Sequence, residues 1–325
     1  MKIGITYDLR QAYLDEGYGE EETAEFDRPD TIEAIERTLQ ELGYTTDRIG
    51  NIRQLVTRLA KGDRWDLVFN IAEGLKGFGR EAQIPALLEA YNIPCTFSDP
   101  MVLALSLHKG MTKHILRDKG IPTADFAVIE TEEDIDKVKL SYPLFAKPIA
   151  EGTAKGINNV SKLHNYNELK NVCLDLLKKY KQPVLVETFL PGREVTVGII
   201  GTGKNAKVLG VIEVILKDNA EPNAYTYVNK ENCEELTLFR LLDDDKAKKA
   251  GEIALNAYLA LGCRDTARID IRDDIHGEPT IMEVNPLPGL HPEHSDLPIL
   301  CTLANIKYKE LLKQIMLSAV TRVNR

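Results

Sequence analysis

A predicted pair of β-strands near the C-terminus constrains this chain more than any other segment. The two strands lie within residues 268–285 and are joined by a short turn. Because side chains alternate faces along a strand, one face is apolar and the other carries Arg268, Asp270, Glu283 and Asn285. Carboxylates that face each other across paired strands repel, so a cation is the natural compensation. Oxygen ligands of this kind suit Mg²⁺ with substrate phosphates, and the pair therefore predicts a nucleotide held through magnesium.

The composition restricts the class of protein. With 325 residues the chain can form two or three domains with proper cores. A net charge of −9 argues against a nucleic-acid partner, and no apolar run approaches the roughly 20 residues that cross a bilayer. The N-terminal residues begin a strand and not a signal peptide. Five scattered cysteines without a C-x-x-C pair indicate reduced, buried thiols, so we expect a cytoplasmic protein that binds neither nucleic acid nor membrane.

Three regions with different patterning follow one another along the chain. Residues 1–98 alternate short strand-like runs, the last at residues 94–97, with helical spacing, which predicts a small parallel α/β sheet. Within this region, residues 15–27 are acidic and aperiodic, which predicts a mobile loop. Residues 99–187 and 188–325 each mix strands and helices, so we expect two α+β domains after the first domain.

Apolar spacing and stop signals predict the longer helices. They are expected at residues 31–42, 82–91, 101–119, 167–180, 244–261 and 303–317. Lys109 and Lys113 lie four residues apart on one of these helices, within reach of the same anion, although solvated lysines are the ordinary alternative.

Two loops carry residue types that bind a nucleotide. Between residues 147 and 156 a lysine at a strand end is followed by small residues, and glycines there let backbone amides approach a phosphate. The connector over residues 185–194 offers backbone groups to an adenine edge, with Phe189 and Leu190 as apolar walls. Each pattern alone fits an ordinary hairpin or interdomain linker about equally well.

A short histidine motif follows the C-terminal strand pair. His291 and His294 are separated by a proline and a glutamate, and paired histidines are frequent zinc ligands. The intervening proline and the lack of a convincing third ligand argue against zinc at this motif.

In their order along the chain, these motifs resemble the ATP-grasp superfamily and, within it, the D-alanine–D-alanine ligases. The matching motifs are Lys109, Lys147 with its glycine-rich loop, Glu187 to Glu194, Arg268-x-Asp270 and Glu283-x-Asn285-x-x-Pro288-Gly289. The resemblance covers most of the chain and is strongest over residues 283–295. It implies an α/β protein of the α+β ATP-grasp type with three domains. The N-terminal parallel sheet would occupy residues 1–98, and the two domains that clasp ATP would occupy residues 99–187 and 188–325.

The resemblance also implies roles for individual residues. The ATP-contacting set would be Lys109, Lys147, Glu151, Gly152, Glu187, Phe189, Leu190, Glu194 and Lys230. Mg²⁺, or Mn²⁺ in its place, would be held by Asp270, Glu283 and Asn285. Catalysis would rest on Arg268, the backbone N–H of Gly289, and Thr153, which stands where the family has a serine. Ser295, with Asp296 beside it, would contact the substrate.

The implied reaction joins a carboxylate to an amine. The carboxylate attacks the γ-phosphate of ATP to give an acyl phosphate and ADP, and the amine then displaces phosphate through a tetrahedral intermediate. The substrate end departs from the family: residues 7–10 replace a "GG-x-S-x-E" stretch, Glu73 stands where a histidine is expected, and Asp296 where an apolar residue is expected. We therefore expect small amino-acid or peptide-like substrates other than two D-alanines, with a solvent-facing Asp296 as the alternative.

Other functions stay open at this point. The chain could be an authentic D-alanine–D-alanine ligase, or an ATP-binding regulatory or scaffold protein without catalysis. The presence of Arg268 beside the metal set argues against a scaffold, because a non-catalytic binder has little need for an oxyanion-stabilising arginine. A structural or metal-binding α/β protein without ATP is a further alternative. Many members of the family are dimers, so a homodimer is also open.

Overall fold

The computed structural model describes residues 1–221 and 226–323. Its first part is a parallel sheet in the order β2-β1-β3 with helices around it. The strands are β1 (Lys2–Thr6), β2 (Thr45–Gly50) and β3 (Leu67–Asn70), and the helices are α1 (Arg10–Asp15), α2 (Pro29–Glu41), α3 (Ile52–Ala60) and α4 (Gln83–Ala90). The predicted small parallel sheet is confirmed.

Two expectations for this first part are wrong. Residues 94–97 add no strand to the sheet, and their backbone meets β3 at an isolated bridge between Val68 and Cys95. The acidic segment at residues 15–27 is packed and not loose, because Phe26 is buried against Tyr13 with the two ring centroids 4.5 Å apart. The segment therefore contributes fixed side chains to the rest of the molecule.

The middle part begins with helices and continues as an antiparallel sheet in the order β4-β7-β5-β6. Its elements are α5 (Pro100–Leu107), α6 (Lys109–Asp118), β4 (Phe126–Ile129), α7 (Glu132–Ile135), β5 (Leu144–Pro148), β6 (Lys162–Leu163), α8 (Tyr166–Tyr180) and β7 (Val184–Thr188). The single helix expected over residues 101–119 is broken at His108, whose ψ of 88° lies outside the helical range. His108 instead caps α6, because its ring accepts a hydrogen bond from the N–H of Met111.

The C-terminal part is an antiparallel sheet in the order β10-β9-β8-β11-β12, with helices on it. Its elements are β8 (Glu194–Ile200), β9 (Lys207–Leu216), α9 (Tyr227–Glu231), α10 (Cys233–Leu236), β10 (Thr237–Leu242), α11 (Asp245–Leu261), β11 (Thr266–Asp273), β12 (Pro279–Asn285), α12 (Asp296–Leu303) and α13 (Tyr308–Val323). Helix α12 was not expected. Pro298 obscures it in the sequence, but a proline in the first helical turn removes no intrahelical bond.

The largest core joins the two ends of the chain. Ile5 and Phe69 of the first sheet belong to the same buried cluster as Leu312 and Met316 of α13. A second core lies between α11 and the strands β8 and β11. Because α13 covers the N-terminal sheet, side chains from residues 1–98 come to lie beside the C-terminal strand pair.

Two predictions about the whole chain concern its cysteines and its membrane-spanning potential. All five cysteines are buried and free of disulfide bonds, as expected. Among the helices of residues 1–221 and 226–323, none has the length and apolar character that a bilayer crossing requires.

Candidate active site

The C-terminal strand pair has the predicted geometry. In the antiparallel register of β11 and β12, Arg268 lies opposite Asn285 and Asp270 lies opposite Glu283. The other face is apolar, and Ile269 there is completely buried. Alternation along two adjacent strands thus brings the predicted arginine, both carboxylates and the amide to one polar face.

Arg268 is held between two carboxylates on this face. Its Nε and Nη2 donate to Asp270 at 3.2 and 3.0 Å, and its Nη1 lies 3.2 Å from Asp296 Oδ2. Burial alone would raise the pKa of Asp270, but the charges of Arg268 and Lys230 and a hydrogen bond from Thr196 lower it. Asp296 is buried at the start of α12. The solvent-facing alternative for Asp296 is therefore wrong, and its charge is already paired.

The three predicted metal ligands lie together. Asn285 Nδ2 donates to Asp270 Oδ2 at 3.1 Å, Thr196 donates to Asp270 Oδ1 at 2.9 Å, and Glu283 Oε1 lies 3.4 Å from Lys109 Nζ. Two carboxylates and one amide oxygen form a hard, all-oxygen donor set, which suits Mg²⁺ completed by water and phosphate oxygens. The residues present therefore fit the implied metal.

The buried lysines near the strand pair contact different carboxylates. Lys113 and Lys147 both pair with Glu187, at 2.8 and 2.6 Å, and all three side chains are buried. Burial would raise the pKa of Glu187, but the two ammonium groups lower it to about 2. Lys109 instead contacts Glu283 and the carbonyl of Glu151. The expectation that Lys109 and Lys113 reach one anion is wrong for the anions of the chain itself, because Lys109 pairs with Glu283 and Lys113 pairs with Glu187.

A pocket lies between the two antiparallel sheets, beside these lysines. Its lining includes the predicted residues Lys147, Glu187, Phe189, Leu190, Glu194, Lys230, Asp270 and Glu283. The Phe189 ring stacks near Phe145, with centroids 6.3 Å apart, and lies under the ammonium of Lys162. Arg272 Nη1 lies 3.4 Å from Glu194, whose pKa is nevertheless raised, first by burial and also by Asp270. An aromatic wall at one end and charged groups at the other match the two ends of a nucleotide.

The connector chosen as an adenine hinge has some of its backbone donors in use. The amide of Thr188 donates to Asp125 and that of Phe189 donates to Pro143. An adenine bound at this connector would therefore have to pair with another backbone amide. That of Leu190 is the next along the chain.

The glycine-rich loop is anchored to the N-terminal part, which the sequence did not predict. Lys155 pairs with Glu25 at 2.9 Å, and Arg80 pairs with the same carboxylate at 3.0 Å while donating to the carbonyl of Ala150. A Cβ on Gly152 would lie 2.0 Å from Glu25 Oε1, so this close approach requires glycine. Thr153, the next residue, has a positive φ of 48°. The loop is thus tied to the N-terminal part at Ala150 and Lys155, on either side of Glu151 to Thr153.

A second cleft adjoins the pocket and contains the remaining predicted residues. Gly152, Thr153, Arg268, Asn285, Gly289, Ser295 and Asp296 line it. Ser295 Oγ accepts a hydrogen bond from the N–H of His291 at 3.0 Å, and a Cβ on Gly289 would lie 2.8 Å from that oxygen. Gly289 is therefore packed directly against Ser295, and a larger residue there would displace it.

Sequence reasoning singled out Glu73 but did not predict that it joins other carboxyl groups on the opposite wall of this cleft. They come from the N-terminal part: Glu25, Asp27, Glu73 and Glu81. Burial raises the pKa of Asp27 and of Glu73 well above the usual range, and it raises the pKa of Glu81 to about 8, with Glu25 adding to the last two. Glu25 differs, because the Arg80 and Lys155 charges outweigh burial and lower its pKa to about 2. The acidic run at residues 15–27 was the available signal, but nothing local indicated where it would fold.

Comparisons with known proteins extend this geometry. The family described as "D-ala D-ala ligase C-terminus" matches residues 115–317. The D-alanine–D-alanine ligase of Aquifex aeolicus (strain VF5) is 34% identical over 288 residues, covering 88% of this chain and 93% of that protein. A crystal structure of the D-alanine–D-alanine ligase from Bacillus anthracis complexed with ATP matches at a TM-score of 0.75 and 21% identity, over 100% of this chain and 99% of that one. The VanG D-Ala:D-Ser ligase from Enterococcus faecalis matches at 0.73 and 20% identity, over 97% and 98% of the two chains.

The structural matches and the sequence matches support different conclusions, the first about the fold and the second about the family. The two solved structures establish the fold, since both are compared over nearly their whole length. The sequence matches span most of the chain and include the strand pair and the loop after it. Together with the oxygen ligands, the buried lysines and the aromatic wall, they confirm the expected superfamily. The chain belongs to the D-alanine–D-alanine ligase family of ATP-grasp enzymes, which are ATP- and Mg²⁺-dependent ligases.

Proposed function

We propose that this protein forms a peptide or amide bond between a carboxylate and an amine through an acyl phosphate. The observation that carries the proposal is the meeting of two compartments: Lys230, Glu283 and Asp296 line both the nucleotide pocket and the neighbouring cleft. A phosphate in the pocket and a carboxylate in the cleft would approach each other at these three residues. Such a shared boundary supports transfer between two small molecules better than it supports binding of a nucleotide alone.

On the nucleotide side, we assign adenine to the wall formed by Phe189 and Leu190, and ribose to Glu194. The phosphates would be contacted by Lys109, Lys147, Lys230 and the loop residues Glu151, Gly152 and Thr153. The pairing of Lys147 with Glu187 supports its fixed position, because a buried ammonium held by a carboxylate does not swing into solvent.

At the metal end, Asp270, Glu283 and Asn285 would hold Mg²⁺, whose charge offsets the repulsion between a phosphate and an attacking carboxylate. The contribution of the chain is to keep these oxygens in place. Asp270 accepts hydrogen bonds from Thr196 and Asn285, and Glu283 is positioned by its ion pair with Lys109. Ligands held in this way need little rearrangement when the cation binds.

Arg268 is proposed to stabilise the oxyanion of the tetrahedral intermediate, together with the backbone N–H of Gly289. Its guanidinium cannot leave Asp270 and Asp296 without exposing two buried carboxylates to each other. A donor fixed before the reaction begins costs no reorganisation when charge develops on the substrate oxygen.

For the substrates, we propose amino acids or peptide-like molecules of which at least one carries an additional cationic group. Asp296 does not support this directly, because Arg268 already neutralises it. The support comes from Glu81, which is 8% exposed and lines the cleft. The charges of Arg80 and Lys109 do not offset the burial of its carboxyl group, and Asp27 and Glu73 lie in the same cleft. An ammonium or guanidinium group of a substrate would satisfy these carboxyl groups.

A second candidate is ligation of two D-alanines. It is favoured by the names of the relatives, since the Aquifex aeolicus protein is described as a D-alanine–D-alanine ligase. Two D-alanines would bring α-ammonium groups to the carboxyl groups that line the cleft, but no side-chain cation.

A screen for ADP release separates these candidates. Pairs of amino acids are supplied with ATP and Mg²⁺, including D-alanine with itself and pairs in which one member has a cationic side chain. We expect the highest rate with a pair that includes a cationic side chain. The highest rate with D-alanine alone would overturn the substrate assignment. Mg²⁺-dependent nucleotide binding without ADP release from any pair would instead favour a non-catalytic ATP-binding protein.

The remaining assignments concern organisation. We propose domains at residues 1–98, 99–187 and 188–325, supported by the separate sheets that these ranges contain. A cytoplasmic setting is supported by the five buried cysteines, none of which forms a disulfide bond in the described structure. A homodimer is proposed on the resemblance to the family alone, and sedimentation of the full chain would test it.

A further inference from the structure

A cluster at the edge of the cleft, to whose residues the proposed ligase reaction gives no role, brings three metal-binding residue types together. We propose that Cys233, Glu234 and His294 form a second metal site, of the zinc type, that joins the segment carrying Lys230 to the loop before α12. One donor atom from each of the three side chains lies within 4.8 Å of the other two.

The geometry favours a shared ion over a catalytic relay. Cys233 Sγ lies 3.6 Å from His294 Nδ1, and Glu234 Oε1 lies 2.8 Å from the same nitrogen. A thiol–imidazole–carboxylate relay would use the two ring nitrogens for its two partners. Here both partners converge on one nitrogen, as ligands around a central cation do.

The distances agree with a tetrahedral ion. With Zn–S about 2.3 Å and Zn–N about 2.0–2.1 Å, a thiolate and an imidazole on one zinc lie about 3.6 Å apart. The observed Sγ–Nδ1 distance is 3.6 Å. The carboxylate oxygen would have to move away from the nitrogen by roughly half an ångström to reach a ligand position, and Glu234 is exposed enough to do so. A water molecule would complete the four positions.

The donor set also distinguishes this site from the magnesium ligands. A thiolate and an imidazole select softer ions such as Zn²⁺, whereas Mg²⁺ prefers oxygen donors alone. The sequence argued against zinc at the motif of His291 and His294, and the proposed site uses only His294 of the two. The ring of His291 lies 3.2 Å from Asp30 through Nε2 and accepts backbone N–H groups through Nδ1. The missing third ligand comes from α10, which no local motif could have indicated.

The position suggests what occupancy would do. Cys233 and Glu234 begin α10, directly after the helix α9 that carries Lys230. His294 directly precedes Ser295 on the wall of the cleft. An ion bridging the two segments would hold Lys230 and Ser295 at a fixed separation across the boundary of the nucleotide pocket and the cleft.

The test is metal binding by the reduced full-length protein in excess Mg²⁺, which saturates the oxygen ligands. We expect one equivalent of Zn²⁺ to bind, and Co²⁺ to give the thiolate charge-transfer and tetrahedral d–d bands. Cys233→Ser should lose the charge-transfer band and weaken Zn²⁺ binding at least about 100-fold, since even outer-shell changes cost 10–100-fold. Cys173→Ser, a buried thiol in α8, is the matched control and should bind like the original protein.

A second variant covers the case in which Cys233→Ser fails to fold, because that thiol is 1% exposed. Glu234→Ala changes an exposed side chain and should weaken Zn²⁺ binding by about 10-fold or more. Hydrogen exchange over residues 226–236 should slow on adding Zn²⁺ in the original protein but not in these variants. Equal Zn²⁺ affinity in Glu234→Ala, no thiolate band with Co²⁺, or unchanged exchange on Zn²⁺ binding would each overturn the proposal.

Discussion

The nucleotide pocket and the N-terminal wall of the cleft treat buried charge in opposite ways. In the pocket, Glu187 is neutralised by Lys113 and Lys147, and its pKa falls to about 2 although burial opposes this. On the cleft wall, burial raises the pKa of Glu73 and Glu81, and the charge of Arg80 is too weak there to offset it. Glu187 in the pocket is neutralised before any ligand binds, whereas Glu73 and Glu81 on the cleft wall need a proton or a cationic ligand. The first arrangement stabilises the fold, and the second is a sign of binding.

The largest expected effect lies in the pocket. Glu187→Gln removes the carboxylate that compensates two buried lysines, and breaking such a group typically costs about 3–5 kcal/mol of unfolding free energy. Urea unfolding at neutral pH measures it. Glu278→Gln, which breaks an exposed pair with Lys249, is the control and should cost less than about 1 kcal/mol. Equal losses in both variants would mean that the pocket is no more tightly coupled than the surface.

The second-largest effect, a loss of kcat, is expected at the boundary between the nucleotide pocket and the cleft. Arg268→Ala should lower kcat about 10²–10³-fold, equivalent to about 3–4 kcal/mol, because a fixed oxyanion donor is lost. ADP release with the best substrate pair measures this change. Arg240→Ala serves as the control, since that arginine forms an exposed pair with Glu213 on β9. Unchanged kcat in Arg268→Ala would remove this residue from the proposed mechanism.

The smallest expected effect lies on the cleft wall. There the substitution should reduce a loss of stability instead of causing one. The pKa of Glu81 is raised to about 8 from an ordinary value of 4.5, so the folded state binds a proton that the unfolded state releases. Stability should therefore be complete below about pH 4.5 and fall as the pH rises towards about 8. Glu81→Gln should reduce this loss by at least about 1.4 kcal/mol, the equivalent of one pKa unit.

Urea unfolding of the ligand-free protein at pH 5 and pH 8 tests the Glu81→Gln prediction. The matched control is Glu89→Gln on the helix α4, an exposed glutamate whose replacement should leave the pH dependence unchanged. A Glu81→Gln protein with the same loss between the two pH values as the original would show that this carboxyl group is satisfied in the folded state.

The predictable part of the site was the part encoded by short-range periodicity. Alternation along β11 and β12 is enough to place Arg268, Asp270 and Glu283 on one face. The same reasoning failed for Lys109 and Lys113, because a shared helical face says nothing about which distant carboxylate each side chain meets. It also treated residues 15–27 as mobile, since the packing of Phe26 and the pairing of Glu25 depend on partners far away in the chain.

The sequence by itself determined the family and the alternation that places Arg268, Asp270 and Glu283 on one face, because these depend on residues close together and in a fixed order. Tertiary structure decided which charges are paired. It placed Asp296 on Arg268, buried Glu81 in the wall of the cleft, and joined Cys233 to His294. The physical reason is that pairing depends on distance and burial in space, and here both follow from α13 and α12 packing segments from opposite ends of the chain against one another.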